Sequence, residues 1–178
     1  ANESARYTPM AFNPVVMSST DHGTALTVSG NVITTASNAM GSARATEEFS
    51  SGKRYCEMTV TKITSYTGAG PTLGLMTSAG SLGGEVGDWS PSWGYHSDGL
   101  IYASGINSAY GGFGSGSTVG MAHDADAGMV SFIGSGGTAV VSLTGLVDAL
   151  FPTISLDNSG DQVSVNFGET AFIHALPS

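Results

Sequence analysis

Apolar and polar residues alternate with a period of two in short runs, and turn-forming residues separate the runs. The clearest is Tyr55-Cys56-Glu57-Met58-Thr59-Val60. It places Cys56, Met58 and Val60 on one face and Tyr55, Glu57 and Thr59 on the other. Leu26 and Val28 share a face, Ser29-Gly30-Asn31 turns the chain, and Val32-Ile33-Thr34-Thr35 follows. Gly-Asn between β-branched runs signals a hairpin. Further strands are expected over residues 72–76, 99–103, 119–123, 129–133, 139–143, 153–157 and 162–167, the last with Val163, Val165 and Phe167 as its apolar face. Many short strands at this spacing predict an all-β sandwich. One helical turn is expected over Leu146-Val147-Asp148-Ala149-Leu150, stopped by Pro152. Residues 104–117, with Gly105, Gly111, Gly112, Gly114 and Gly116, read as a surface loop.

Composition agrees. The 178 residues make one domain, long enough to bury a core without metal or disulfide staples. Charged residues are 11%, against about 25% in an average soluble domain. Polarity comes instead from 25 Ser and 18 Thr, and turns from 26 Gly, a mixture unfavourable for helices. The net charge is −9, and of the basic residues Arg6, Arg44, Lys53, Arg54 and Lys62 only Lys53 and Arg54 are adjacent. Nucleic acid and anionic membranes are therefore excluded as main partners, because phosphate binding needs clustered cations. No apolar stretch approaches a membrane span. Ala1-Asn2-Glu3-Ser4 has neither a basic nor an apolar leader region, so a mature chain made in a cytoplasm is the simplest expectation.

The sequence carries little catalytic chemistry. Cys56 is the single cysteine and lies on an apolar face, so it reads as a buried thiol and not a nucleophile. His22, His96, His123 and His174 lack zinc-site spacing. Asp124-Ala-Asp126-Ala-Gly128 starts like a calcium loop, but Gly128 falls at position 5 and Ser135 stands where position 12 needs Glu. A tight hairpin accounts for it better. No metal site, catalytic residue or cofactor is expected. One enzymatic alternative is a glycosidase using Glu85 with Asp88 or Asp98, although no spacing singles out a pair.

Aromatic residues are more informative. Trp89, Trp93, Tyr95, Tyr102, Tyr110 and Phe113 fall close together among Gly, Ser and Asn. Trp93, Tyr95 and Tyr102 fit a sandwich core. Trp89, Tyr110 and Phe113 sit in loops where a contact role is expected, because Tyr- and Trp-bearing Gly/Ser loops bind at small entropic cost. Tyr66 and His96 complete the candidate binding residues.

The order of segments resembles the SPRY domain family in its short bacterial and bacteriophage form. Phe12-Asn13-Pro14 and Leu26-Thr27-Val28-Ser29-Gly30-Asn31 resemble its opening strands. Ser51-Gly52-Lys53-Arg54-Tyr55-Cys56-Glu57-Met58-Thr59-Val60 resembles "SSGKWYWEVTV", and Leu73-Gly74-Leu75-Met76 resembles "VGIA". Trp93-Gly94-Tyr95, Asp98-Gly99 and Tyr102 resemble "WGY..DG..Y", and the run from Val119 to Phe132 resembles "IGVALDLDAGKVWF". Leu150-Phe151-Pro152 and Val165-Asn166-Phe167-Gly168 with Phe172 resemble the closing "LYPAVSL" and "VNFG…PF". Arg54 and Cys56 stand where the family has aromatics, His123 where it has an apolar residue, and Ser131 where it has another aromatic.

The resemblance implies a bent antiparallel β-sandwich over residues 12–178, preceded by an N-terminal arm over residues 1–11. It also implies a binding module, not an enzyme, with partner contacts on loops at 66–70, 77–92, 104–117 and 134–138. The first expectation is a bacteriophage virion protein, a capsid decoration or tail-associated domain, with the virion as its destination and the cytoplasm as the alternative. It would contact a virion structural protein or host surface component and pack as a homo-oligomer within the assembly. The alternative is a cytoplasmic adaptor that binds a peptide or carbohydrate. One outcome follows from the strand pattern alone. A thiol reagent should label Cys56 slowly in the native protein and rapidly once denaturant is added, whereas rapid native labelling would invert the strand face by one residue.

Overall fold

The alternating runs become strands and pair into two sheets. The computed structural model describes residues 8–9, 15–64, 70–89, 91–104, 106–146 and 148–177. Its strands are β1 (Thr8–Pro9), β2 (Met17–His22), β3 (Leu26–Ser29), β4 (Val32–Thr35), β5 (Gly41–Ala45), β6 (Lys53–Lys62), β7 (Thr72–Met76), β8 (Ser92–His96), β9 (Leu100–Ala103), β10 (Ile106–Ala109), β11 (Thr118–Asp124), β12 (Met129–Ile133), β13 (Ala139–Thr144), β14 (Phe151–Leu156) and β15 (Gln162–Asn166). The first sheet runs β13-β12-β11-β6-β15-β4-β3 and the second β10-β9-β8-β7-β14-β5-β2, every neighbouring pair antiparallel. The two-residue β1 adds a parallel bridge to Arg54 and Tyr55 of β6. It occupies the side of β6 that β15 leaves beyond the Asn166–Glu57 pair.

The sandwich expected from the pattern is therefore formed, and the Gly30–Asn31 turn joins β3 to β4 with Ser29 opposite Val32 and Gly30 at φ 58°. The pattern missed β2, β5, β8 and β10. β5 reads Gly-Ser-Ala-Arg-Ala, with every residue buried, so small residues face both ways and no apolar alternation marks it. β10 lies inside the segment read as a loop and pairs with β9 from Ile106↔Ala103 to Ala109↔Leu100. The helical turn expected near Leu146 does not form. Gly145 and Asp148 have φ of 85° and 75°, and the backbone groups on either side bond outward, Leu146 N to Gly128 O and Leu150 N to Phe49 O. No helix occurs among the described residues.

The core fills the space between the sheets. From the first sheet come Cys56, Met58, Val60, Val119, Met121, Phe132, Val163, Val165 and Phe167. From the second come Leu73, Leu75, Trp93, Tyr95, Ile101, Ile154 and Leu156. Cys56 is fully buried, and burial together with the nearby Glu57 carboxylate pushes its thiol pKa far up.

The outer face of the first sheet is also covered. The chain after β15 folds back over it: Phe172 packs edge-on against Tyr55 at 4.8 Å between ring centroids. The buried Glu57 carboxylate accepts the N–H groups of Ile173 and His174 at 2.8 and 2.7 Å, and His174 bonds the Thr118 carbonyl. Tyr55 and Glu57, on the polar face by alternation, are thus buried by the C-terminal segment.

His123 is an anomaly on the inner face. It lies directly opposite Arg54 on β6 and Val130 on β12, and its Nδ1 has no hydrogen-bond partner. Burial lowers its pKa to about 4; Asp124 opposes that shift and Arg54 adds to it. A neutral folded histidine gives an unfolded state that binds more protons between pH 6.5 and 4. Stability from this group is therefore intact above pH 6.5 and falls as pH drops toward 4, by about 3 kcal/mol at most. Asp157 titrates in the same window with the opposite sign, because burial and Asp161 raise it to about 6. The difference in denaturation midpoint between wild type and His123→Leu isolates the histidine. It should widen steadily in favour of the variant from pH 7 to pH 4.5, and a pH-independent difference would contradict the assignment.

Candidate functional site

The outer face of the second sheet carries Ser42 on β5, Ser155 on β14, Thr72 and Gly74 on β7, Ser92, Gly94 and His96 on β8, and Tyr102 on β9. Its middle has almost no side chains, because Gly74 and Gly94 are a directly opposed pair. Residues 82–87 lie across this strip as a strap. It runs from β5, where Leu82 O accepts the Ser42 N–H, to β9, where Gly87 lies against Tyr102, and it turns at residues 82–83 and 86–87. A Cβ at Gly94 would run into the Val86 carbonyl, and one at Gly74 into the Val86 side chain and the Trp93 carbonyl. Val86 is fully buried there.

Hydroxyl groups fasten the strap. Val86 N–H donates to Ser155 Oγ at 2.9 Å, and Ser42 Oγ donates to the Gly84 carbonyl at 2.5 Å. With its proton committed, Ser42 Oγ accepts the Ser155 hydroxyl at 2.7 Å, which closes a relay across the β5–β14 pair. Leu82 O receives Ser42 N–H, and Gly87 N–H donates to Ser92 Oγ at 2.9 Å. Ser92 Oγ in turn donates to the Trp89 carbonyl.

Beneath the strap Glu85 is buried. It accepts the Thr72 hydroxyl at 2.6 Å and lies 3.5 Å from His96 Nε2. Burial is the largest influence on Glu85 and raises its pKa, against His96 and Thr72. Gly70 N–H donates to His96 Nε2 at 2.5 Å, and Nδ1 accepts the Asp98 N–H at 3.2 Å and lies 2.6 Å from Asp98 Oδ1. The carboxylates considered for glycoside cleavage, Glu85 and Asp98, thus brace one imidazole, and Glu85 faces the sheet beneath the strap and not a sugar-sized cleft.

The strap delivers Trp89 to the surface. Its indole lies against Gly84 and remains 52% exposed. Beside it is a cleft of about 210 Å³ lined by Met76, Ala79, Gly80, Trp89 and Pro91 among others. Arg44 shapes the opposite rim. It is buried, its Nε and Nη2 donate to both oxygens of Asp21 at 2.8 and 3.1 Å, and its Nη1 holds the Thr77 and Ser78 carbonyls at 2.8 Å each. Its guanidinium also lies over the Phe151 ring at 5.6 Å. A side chain carrying this many bonds fixes the turn after β7 as part of the sheet.

The predicted residues separate into distinct places. Trp89 and Tyr110 are exposed, as expected of contact residues. They do not share a surface: Trp89 precedes Ser92 at the start of β8, whereas Tyr110 N–H bonds Gly99 O beyond His96 at its end. The length of β8 keeps them about 13 Å or more apart. Phe113 and His96 are corrections. Phe113 is buried in the core and packs against Tyr95 at 4.9 Å, because its N–H pairs with Ser97 O and draws the loop inward. His96 is buried under the strap. Tyr66 lies outside the described residues. Tyr102, read as core, sits instead on the outer face beside His96 and Gly87. The segment from Asp124 is a hairpin turn, with Ala127 N–H on Asp124 Oδ1 at 3.0 Å and Gly128 at φ 59°. No cluster of metal-ligating side chains occurs among the described residues. Sequence reasoning missed Arg44 and the Ser42–Ser155 pair; a lone cation on a strand of small residues was the available signal.

Comparison with known proteins supplies the family. The SPRY domain model matches residues 53–170. The dual specificity protein kinase splA of Dictyostelium discoideum is 33% identical over 138 residues, covering 74% of this chain, although the chain spans only 5% of that kinase's length. A human SPRY domain superposes with a TM-score of 0.73 at 20% identity, covering 85% of this chain and 100% of that one. The SPRY domain of human HERC1 superposes with a TM-score of 0.74 at 18% identity, over 87% of this chain and 99% of that one. These likenesses establish the same sandwich, and with the family model matched over more than half its length the chain belongs to the SPRY domain family.

Proposed function

We propose that this domain is a non-catalytic binding module of the adaptor kind, and that a protein partner docks at the Trp89 cleft. SPRY domains are in general protein-binding modules without catalysis, which is the coarse statement the family membership carries. The observation that favours this surface is an indole more than half exposed on a segment whose backbone is bonded at Leu82, Gly84, Val86, Gly87 and Trp89. A large aromatic held rigidly in solvent loses little freedom on binding, and such residues dominate interface energetics. The virion expectation finds less support. The kinase and HERC1 set the domain in cellular proteins. The described part of the arm, Thr8–Pro9, pairs with β6 of its own chain.

Truncation of an aromatic anchor is typically worth about 2 kcal/mol or more, roughly thirtyfold in affinity. Immobilised domain incubated with lysate of its source cells should retain a saturable partner that Trp89→Ala loses at least roughly thirtyfold, with the melting temperature almost unchanged. Equal retention by both forms would contradict the assignment, and an unfolded Trp89→Ala would make Trp89 a structural residue.

A further inference from the structure

The Trp89 cleft lies at the end of the sandwich where β7 stops and β8 and β14 start, since Met76 pairs with both Ser92 and Phe151. The connection from β5 to β6 reaches the same end, because Phe49 bridges Leu150 beside Phe151. So does the β11–β12 turn, where Asp126 accepts the Gly52 N–H at 2.9 Å. This end carries Glu47, Glu48, Asp88, Asp126 and Asp148, all at least partly exposed. Among the described residues its cations are already engaged. Arg44 is buried on Asp21 and three carbonyls, Lys53 lies 3.3 Å from Asp124, and Arg54 lies over the Phe49 ring at 4.9 Å. Lys62 is at the opposite end of β6.

The cleft itself is small and mostly apolar. Its volume of about 210 Å³ is below the roughly 300 Å³ at which small-molecule sites begin, and it suits one inserted side chain. Met76 and Pro91 give it an apolar lining, and the thioether adapts to the shape of what enters. Carboxylates of one sign at the end of the sandwich that holds an apolar cleft select a partner of the opposite sign, through encounter rate and through the penalty on like charges.

We propose that the occupant of the Trp89 cleft is a basic peptide segment of a partner protein. One aliphatic or methionine side chain enters between Trp89, Met76 and Pro91, and flanking Lys or Arg residues face Asp88 and the carboxylates of the neighbouring turns. This rests on the reading of the cleft as the docking surface and adds the chemistry of what docks.

A random twelve-residue peptide library displayed on phage and selected on the whole domain tests it. The expected winners pair an apolar residue with two or more Lys or Arg, bind at least thirtyfold more weakly to Trp89→Ala, and weaken at least tenfold between 50 and 500 mM NaCl. Ala79→Arg serves as a second variant. It should abolish binding by blocking the cleft with a like charge, and it keeps the test valid if Trp89→Ala fails to fold. Winners that depend on Trp89 or Ala79 but are neutral, acidic or insensitive to salt would overturn the basic-peptide inference and leave the cleft as the docking surface. A selection that yields no peptide sensitive to either substitution would overturn the docking surface itself.

Discussion

A coil backbone can touch a sheet backbone directly where the facing residues present no Cβ. On the second sheet that condition is met by the opposed pair Gly74 and Gly94. Both neighbour strands approach the Val86 backbone and side chain so closely that an added methyl at either position collides. Everything at the candidate site follows from this gap. Because the strap reaches the sheet, its carbonyls and N–H groups fall within range of Ser42, Ser155 and Ser92, and its Glu85 reaches Thr72 and His96. Because both flanks of the turn are fixed, Trp89 stands in solvent without being mobile through its backbone. Substituting alanine for either glycine removes the seat, and the bonds made by the strap's polar groups become bonds to water.

The first sheet solves the same problem with the other end of the chain. Gly120 leaves room for the Tyr55 ring, Phe172 caps that ring, and Glu57 holds two successive N–H groups of the returning segment. Each sheet thus has an inner face packed against the other sheet and an outer face covered over its middle strands by one strap. This accounts for a chain so rich in Ser and Thr whose hydroxyls are nonetheless often buried. Ser42, Ser92, Thr72, Thr153 and Ser155 are all covered, and those whose bonds are described replace water with strap or backbone partners. In the same arrangement Glu85 and Asp98 brace the buried His96 from its two ring nitrogens.

Much of the sandwich was legible because its inner faces obey the period of two. The strands around Met58, Leu73, Phe132 and Val163 carry that pattern without interruption. A covered outer face does not by itself hide a strand, since β7 and β11 are buried on both faces and carry the pattern. β5 is hidden because it buries small residues and Arg44 on its two sides without alternation, whereas β8, Ser-Trp-Gly-Tyr-His, alternates polar and aromatic residues and carries the signal. The same physics governs the site. Trp89 was found because a tryptophan among glycine and serine has little local core to cover it. Phe113 was misplaced because nothing local announces that its N–H pairs with Ser97, and His96 because a strap from elsewhere in the chain closes over it. Arg44 was passed over since its value lies in carbonyls more than thirty residues away.

The central claim is that residues 82–87 are fastened to the second sheet and that the Gly74–Gly94 gap makes this possible. Native-state amide hydrogen exchange tests it most directly, read at Val86 and Gly87, whose N–H groups are assigned to Ser155 and Ser92. In the wild-type protein these two amides should be protected to within about tenfold of the β7 and β14 amides, while exposed loop amides exchange freely. In Gly94→Ala they should exchange at loop rates with β6 and β11 still protected. Wild-type Val86 and Gly87 amides that already exchange like an open loop would contradict the account.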